Sequence, residues 1–546
     1  MELTYLGHAG FLVESEDHVL VIDPWLSSRG AFLSSWYQYP KNHDFIHELK
    51  RRLAGKHLAV YVTHEHEDHF CRDTLRELLE LKPRFLAPHY AMPDFREGYE
   101  EVVGGAVLEI DDQETITFGD FQITVFVDEG GISRDSAVLV ADKEGRRFLN
   151  LNDCKIYDRC RGIKETYGEI HVLACQFAGA VMHPICYDYP EDERRKIGRR
   201  KRYSKLAGVA NVIQTIEPQM YLPSAGPPAF LDPRLYHLNF EIDSTFPRWW
   251  EFQDFLDKRG KLGATRFVPL KVGGRLLVGA GAPDPASVAR RLSADEHRKE
   301  LEGYCAANGE QTGTDRPRRE LPAADVILRR LGEVLRAKVQ PFLEMKGTLP
   351  LPVPVYFALE DASDYIKVDF AACRAERTSK ISDEKYYLHR AIREDIYPVV
   401  LGEVPWSSYW LTFRFKNVRV PDDYSSQINL FFISNSPDEV RYGLLILARF
   451  RHSAERITVC DPESGKTFTC ARFCAHQGAD LTYARVEGGY LVCPRHYWRY
   501  QLSAGGKCDR SEDTIKAEEV DARSAGEDLP GERHGEIALE GSDWPA

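Results

Sequence analysis

The chain has 546 residues, of which 43% are hydrophobic and 28% charged, enough for roughly three to four domains with their own cores. Acidic residues (84) outnumber basic ones (71) for a net charge of −13, which argues against nonspecific nucleic-acid binding. The longest apolar runs, LLVGAGA and YGLLILARF, are far too short to span a bilayer. Twelve cysteines in this length are too sparse for a disulfide framework, so any that cluster are to be tested first as metal ligands. The opening MELTYLGHAGFLVE places an acid at position 2 and no basic segment before the apolar run. A secretory signal is not expected there, and the expectation is a cytoplasmic protein.

Residues 3–24 predict two β-rich runs joined by a polar turn at 15–17, and LAVYVTH (58–64) a further strand that ends in a histidine-rich loop. DTLRELLELK then repeats leucine at helical spacing. GDFQITVFVD, SAVLVAD and RRFLNLNDC predict more strands, and the alternation of strand and helix runs to about 215. This is the pattern of a layered α/β sandwich. The segment 284–324 is charged and poor in large apolar residues, predicting a helix and a linker. Residues 325–445 predict a mixed α/β segment with an amphipathic helix (VILRRLGEVLRAKVQPFLE) and strands at YWLTFRFKNVRV and INLFFIS. From 446 to 522 short strands with Gly and Pro turns predict an all-β domain, and 523–546 a polar tail.

The strongest motif is Cys474-Ala-His476 followed, after sixteen residues, by Cys493-Pro-Arg-His496. One thiolate and one imidazole on each of two loops is the ligand set of a Rieske [2Fe–2S] centre, in which two histidines replace two cysteines on one iron. A structural zinc site would instead place Cys with Cys and His with His. The aromatic run Tyr497-Trp498-Arg499-Tyr500 and the turn Gly505-Gly506 resemble the segment that closes Rieske domains. Respiratory Rieske proteins carry an extra loop cysteine on each side. Here Cys470 and Cys508 lie outside both loops and read as buried thiols, so the segment resembles the ferredoxin and oxygenase type. Its expected role is electron delivery.

The second motif is Thr63-His64-Glu65-His66-Glu67-Asp68-His69. His-x-His-x-Asp-His puts three imidazoles and a carboxylate on one tight loop, enough to begin a one- or two-metal site. With Leu-Gly-His-Ala-Gly and Ile22-Asp23-Pro24-Trp25 upstream, the segment resembles the metallo-β-lactamase fold. That resemblance implies a bridging carboxylate after a later strand, matched by Asp153 in Leu151-Asn152-Asp153. Where the fold supplies a further histidine the chain has Asp128, taken as the substitute ligand; for the last ligand Asp232 and His237 stand open. His183 is a further candidate, and His8, in the first strand, reads as structural or as a neighbour of the ligands. A ligand set moved from imidazole toward carboxylate favours iron over zinc.

Both motifs in one chain resemble the CMP-N-acetylneuraminate hydroxylase family. Residues 176–226, from Gln-Phe-Ala-Gly-Ala to Pro-Ser-Ala-Gly, and Trp406 through Tyr424 are similar to further segments of that family. The family carries its Rieske domain first and this chain carries it last. The expected architecture is a multidomain α+β protein. A metallo-β-lactamase-like αββα sandwich (1–283) is followed by the helix and linker (284–324). A mixed segment (325–445) completes the catalytic part, and the Rieske domain (446–522) precedes the tail.

The resemblance implies a monooxygenase with one or two non-haem irons held by His64, His66, Asp68, His69 and Asp153, using O₂ and electrons relayed through Cys474, His476, Cys493 and His496. The substrate class is a polar metabolite, either like an N-acyl sugar nucleotide or derived from an amino acid or amine, with N-oxygenation included. No Gly-x-Gly-x-x-Gly links a strand to a helix, so electrons are expected from a separate ferredoxin, flavodoxin or cytochrome b5-like donor with its reductase. No nucleic-acid partner or membrane insertion is expected, and a homo-oligomer is compatible with the chain. The competing readings are a zinc hydrolase with a Rieske redox sensor and a pure electron carrier. The basic run Arg194 to Lys205 reads as a solvated helix face or as a site for a phosphate-bearing substrate or an acidic donor.

Overall fold

The computed structural model describes residues 1–130, 132–179, 182–308 and 320–521. The expected tail lies outside them, as does most of the expected linker. Two seven-stranded sheets face each other in the N-terminal half. The first is built from Glu2–Gly7, Gly10–Glu14, His18–Ile22, His57–Tyr61, Arg84–Pro88 and Val107–Ile110, with Arg275–Leu277 closing the edge against Glu2–Gly7. The second runs from Thr115–Phe118 through Phe121–Glu129, Arg134–Asp142, Arg147–Asn152, Val172–Gln176 and Met220–Ser224 to Arg266–Phe267.

Period-two alternation explains the layering. Phe11, Val13, Leu20, Ile22, Ala59 and Tyr61 meet Ile123, Val125, Val138, Val140, Phe148 and Ala174 between the sheets. Their sequence neighbours Leu12, Val19, Val21 and Val60 point the other way, onto Leu49, Leu53, Leu75, Leu78 and Tyr99 of the helices Ile46–Leu53, Arg72–Leu78 and Asp94–Val103. On the second sheet Leu139, Leu149, Leu151 and Leu173 pack against Leu206, Val209, Ile213 and Phe252 of Glu191–Ile216 and Trp249–Lys258. Each such fully buried side chain contributes about 1.5–3 kcal/mol. The result is the αββα sandwich expected from the sequence.

The middle segment adds a five-stranded sheet, in the order Arg374–Thr378, Tyr365–Asp369, Val355–Leu359, Tyr386–Ala391, Phe415–Val420. Helix Ala324–Val339 lays Ile327, Leu328, Leu331 and Leu335 onto it. The same apolar core takes in Trp25, Phe32, Trp36 and Phe230 from the sandwich, so the two parts share one interior. The C-terminal part holds a three-stranded and a four-stranded sheet around Phe468, Leu481, Leu491, Tyr500 and Ile515.

Three local expectations are corrected. INLFFIS is not a strand: Ser426–Ile433 is a helix whose first turn is capped by the Ser425 hydroxyl, accepting from the Ile428 amide. Ile428, Leu430, Phe431 and Phe432 are all buried, so the run is apolar all round and periodicity cannot separate helix from strand. In YWLTFRFKNVRV only Phe415–Val420 is a strand, because Trp406–Trp410 is helical. Helix Pro437–Arg451, capped by Ser436, runs across the expected domain boundary at 446. Among the described residues, no helix is long and apolar enough to cross a membrane.

Candidate metal centres

The first strand of the sequence reading is two strands, broken at His8-Ala9. His8 takes φ +48, which turns its ring out of the sheet to bring Nε2 within 2.9 Å of Asp68 Oδ2. His18–Ile22 and His57–Tyr61 run parallel, and parallel strands present their carboxyl ends as a ligand crevice. Asp23, fully buried after the first of them, accepts from the Thr63 amide and hydroxyl, both at 2.8 Å. It also sits 3.0 Å from His69 Nδ1 and accepts from the Asn152 side chain. One carboxylate thereby fixes the start of the histidine loop, its end and the turn before Asp153.

With Nδ1 of His69 held, its Nε2 points inward, 3.8 Å from Asp68 Oδ2 and 3.8 Å from Asp153 Oδ1. Two triads share it: His8, Asp68 and His69, and His64, His69 and Asp153, each with ligand atoms within 4.8 Å of one another. His66 belongs to neither triad, but its Nδ1 lies 2.8 Å from His64 Nε2. His69 Nε2 and Asp153 Oδ1 are buried and have no hydrogen-bond partner among the described residues. An orphaned buried polar atom costs about 1–3 kcal/mol, and two that converge among carboxylates fit a cation. Electrostatics agree. Burial works against a charged His69, yet Asp68, Asp23 and Asp153 outweigh it and push its pKa up to about 10. Burial and His64 hold His66 down to about 4.

The remaining expected ligands go elsewhere. Asp128 lies 2.8 Å from Arg495 Nη1. Across the hairpin from it, Asp135 is the carboxylate that reaches the site, 3.2 Å from His64 Nδ1. Asp232 is clamped by Arg234 at 2.7 Å and Arg414 at 3.1 Å, and Arg414 also pairs with Asp395. A carboxylate between two guanidiniums is already neutralised. His237 is exposed on a 3-10 turn. His183 accepts from Arg419 at 2.6 Å and meets the Tyr189 hydroxyl at 2.8 Å. The sequence reading thus assigned His8 the lesser role and missed Asp23 and Asp135; the Ile-Asp-Pro-Trp run was the one signal for Asp23.

The two C-terminal loops repeat one geometry. Cys474 N–H donates to Ala479 O and Gly478 N–H to Cys474 O. Cys493 N–H donates to Trp498 O and Tyr497 N–H to Cys493 O. The fourth residue after each cysteine is left-handed, Gly478 at φ +69 and Tyr497 at φ +57. Cys474, His476 and Cys493 are buried and His496 half-buried. The His476 ring stacks on Trp498 at 4.0 Å, and the imidazoles lie 4.9 Å apart. Nδ1 of both histidines is buried without a hydrogen-bond partner among the described residues. Burial keeps both imidazoles neutral, their pKa values well below the ordinary range. Two thiols and two free Nδ1 atoms fit the mixed ligation of a Rieske cluster. Cys470 and Cys508 are buried and free, as expected.

Residues 437–520 match the model of the Rieske [2Fe-2S] domain, and residues 2–131 that of the Beta-lactamase superfamily domain. The chain joins a β-lactamase-fold domain to a C-terminal Rieske domain. A Mycolicibacterium smegmatis protein named "Putative Rieske 2Fe-2S iron-sulfur protein" is 28% identical over 531 residues, 93% of this chain and 98% of that one. Cytidine monophosphate-N-acetylneuraminic acid hydroxylase of Cricetulus griseus is 24% identical over 236 residues, 41% of this chain and 40% of the hydroxylase. Among solved structures, CmlA, a diiron β-hydroxylase from Streptomyces venezuelae, aligns at 19% identity over 50% of this chain and 53% of CmlA, with a TM-score of 0.35.

Proposed function

We propose that this protein is an O₂-dependent hydroxylase in which a Rieske cluster feeds a non-haem iron site with electrons. The observation that carries the reading is the clasp between the two halves. Arg495, inside the second ligand loop, is held by Asp128 at 2.8 Å and by Asp158 at 2.9 Å, both from the β-lactamase-fold domain. Asp158 also accepts from the amide of Asp480, beside the first ligand loop, at 2.9 Å. Both ligand loops therefore dock on the domain that bears the histidine site, as direct electron delivery requires and storage of an unrelated cofactor does not.

Cys474, His476, Cys493 and His496 would hold the [2Fe–2S] cluster. His64, Asp68, His69 and Asp153 would hold iron with His8, His66 or Asp135 completing it, one or two ions sharing His69. Bound there, the cluster supplies single electrons and the iron activates O₂. The chain's own work is to hold these side chains. Asp23 orients His69, and such carboxylate–histidine contacts set tautomer and ring orientation at metal sites. The proposed substrate is a small polar metabolite, and the proposed donor a ferredoxin, flavodoxin or cytochrome b5-like protein.

The test is metal stoichiometry on anaerobically purified protein, followed by O₂ uptake with a chemical reductant. About three or four irons per chain and negligible zinc supports the hydroxylase. About two irons with one or two zincs, and O₂-independent ester hydrolysis, would replace it with the zinc hydrolase.

A further inference from the structure

The basic run on helix Glu191–Ile216 is tied to the segment beside it by four ion pairs: Arg194 with Glu241, Arg195 and Arg199 with Asp243, and Arg202 with Glu251. Arg248, within that segment, is not held in this way. It precedes helix Trp249–Lys258 and is 6% exposed. Glu251, the acid nearest to it in sequence, accepts from Arg202 and from the Arg248 backbone amide at 2.7 Å. The Arg248 guanidinium instead donates from Nη1 to Pro227 O at 3.1 Å and lies over the Tyr39 ring, 4.4 Å from its centre. Its Nε is buried with no hydrogen-bond partner, and among the described residues the side chain makes no ion pair.

Arg248 lines a cavity of about 440 Å³. Pockets that hold small molecules are of this size and mostly apolar, with a few polar groups placed to fix orientation. A cavity of roughly 150 Å³ already takes benzene, so this one has room for a two-ring body. Its walls suit one: Tyr5, Tyr39, Phe177, Trp249 and Trp250 bring five aromatic side chains from four parts of the chain. Trp249 and Trp250 are half-buried, their rings 5.5 Å apart. The charges of the lining are unequal. Glu300 is its one acid and accepts from the Tyr39 hydroxyl at 2.6 Å. Of its four cations, Lys41 pairs with Asp44 at 3.0 Å and Arg290 with Glu296 at 2.9 Å, both acids outside the lining. Arg248 and the exposed Lys271 have no such partner among the described residues. A guanidinium out of water without a counter-charge is costly. One that rests on an aromatic face presents a planar fork to a carboxylate or phosphate.

We infer that this cavity binds a small organic anion with a flat aromatic body, the Arg248 guanidinium meeting its carboxylate or phosphate and the tyrosine and tryptophan rings its body. Tyr5, in the wall, donates to the His8 carbonyl at 3.0 Å, and the Ala225 amide donates to the same oxygen at 2.8 Å. An occupant therefore sits against the segment that carries His8. The inference goes beyond the hydroxylase reading, since the cavity is lined by none of the metal-ligand side chains.

The test is calorimetric titration of the full-length, metal-loaded protein with naphthylacetate and naphthyl phosphate. The controls are naphthylacetamide, which keeps the rings without the charge, and acetate, which keeps the charge without the rings. At least one of the two acids should bind about tenfold or more tighter than both controls. The tighter acid assigns a carboxylate or a phosphoryl group. If neither acid outbinds both controls, the inference is overturned. Arg248→Met should bring the preferred acid down to the affinity of the amide. Ala289→Trp, at a half-buried position of the lining, should abolish its binding by filling the space. That variant leaves Arg248 intact and carries the test if Arg248→Met does not fold. Unchanged affinity in either folded variant would overturn the inference too. The titrations need neither O₂ nor turnover, so their failure and a failed iron count are read separately.

Discussion

Arg495, between the proline and the histidine of the second ligand loop, donates to Asp128 at the end of strand Phe121–Glu129, 2.8 Å away. The two residues are 367 positions apart, and Gly130 brings the same strand end against the other ligand loop. A Cβ added there would lie 3.1 Å from Gln477 O. The clasp joins the Rieske domain to the β-lactamase-fold domain and gives the Asp128 carboxylate a guanidinium partner in place of a metal.

Asp128→Asn should therefore cost stability without costing metal. Arg495 keeps Asp158, so the loss is about 1–3 kcal/mol. Arg495→Met leaves two carboxylates unneutralised and should cost more, about 3–5 kcal/mol. Calorimetry reads the stability and elemental analysis the metal. A fall in histidine-site metal on Asp128→Asn would return Asp128 to the ligand set.

The two centres use separate side chains, which makes them independent in loading. Cys493→Ser should abolish the Rieske absorption and electron paramagnetic resonance signal while the histidine-site metal stays. Asp153→Ala should remove activity and metal from the histidine site while the reduced Rieske signal survives. Loss of both metals in either variant would contradict that independence.

Asp23 holds His69 by Nδ1 and Thr63 by its amide and hydroxyl. Asp23→Ala frees the ring and should lower metal affinity at the histidine site about 10–100-fold, read by competition with a chelator. Unchanged affinity would remove Asp23 from the positioning of His69.

Lys338 is buried with its ammonium unbonded among the described residues, 4.0 Å from the Trp406 ring centre. Burial drives its pKa well below the ordinary lysine value. The unfolded chain then binds more protons than the folded one between the lowered pKa and about 10.4, so this residue makes stability rise with pH across that window. Lys338→Met should stabilise the protein at neutral pH and flatten that rise. Denaturant midpoints at pH 7 and pH 10 check it, and equal slopes in both proteins would contradict it.

What could be read in the sequence was local. His64, His66, Asp68 and His69 share one six-residue loop, and each Cys/His pair spans three or four residues, so short spacing alone holds the ligands together. The sandwich was legible for a similar reason: alternation along each strand records two buried faces, as Phe11/Leu12/Val13 and Leu20/Val21/Ile22 do. The run at 426–433 was not, because a segment buried on every side carries no period.

The rest was decided by chain returning from a distance. Asp128 and Asp135 are the same residue type and stand opposite each other on one hairpin; the arrival of Arg495 separates their fates. Asp232 resembled a ligand until Arg234 and Arg414 neutralised it, and His8 resembled a strand residue until a left-handed turn aimed it at Asp68. The basic helix divides the same way, since only the placement of Glu241, Asp243 and Glu251 shows which cations are already paired. Spacing constrains ligands that share a loop; whether a charge is spent on a neighbour or left for a ligand depends on what the folded chain brings beside it.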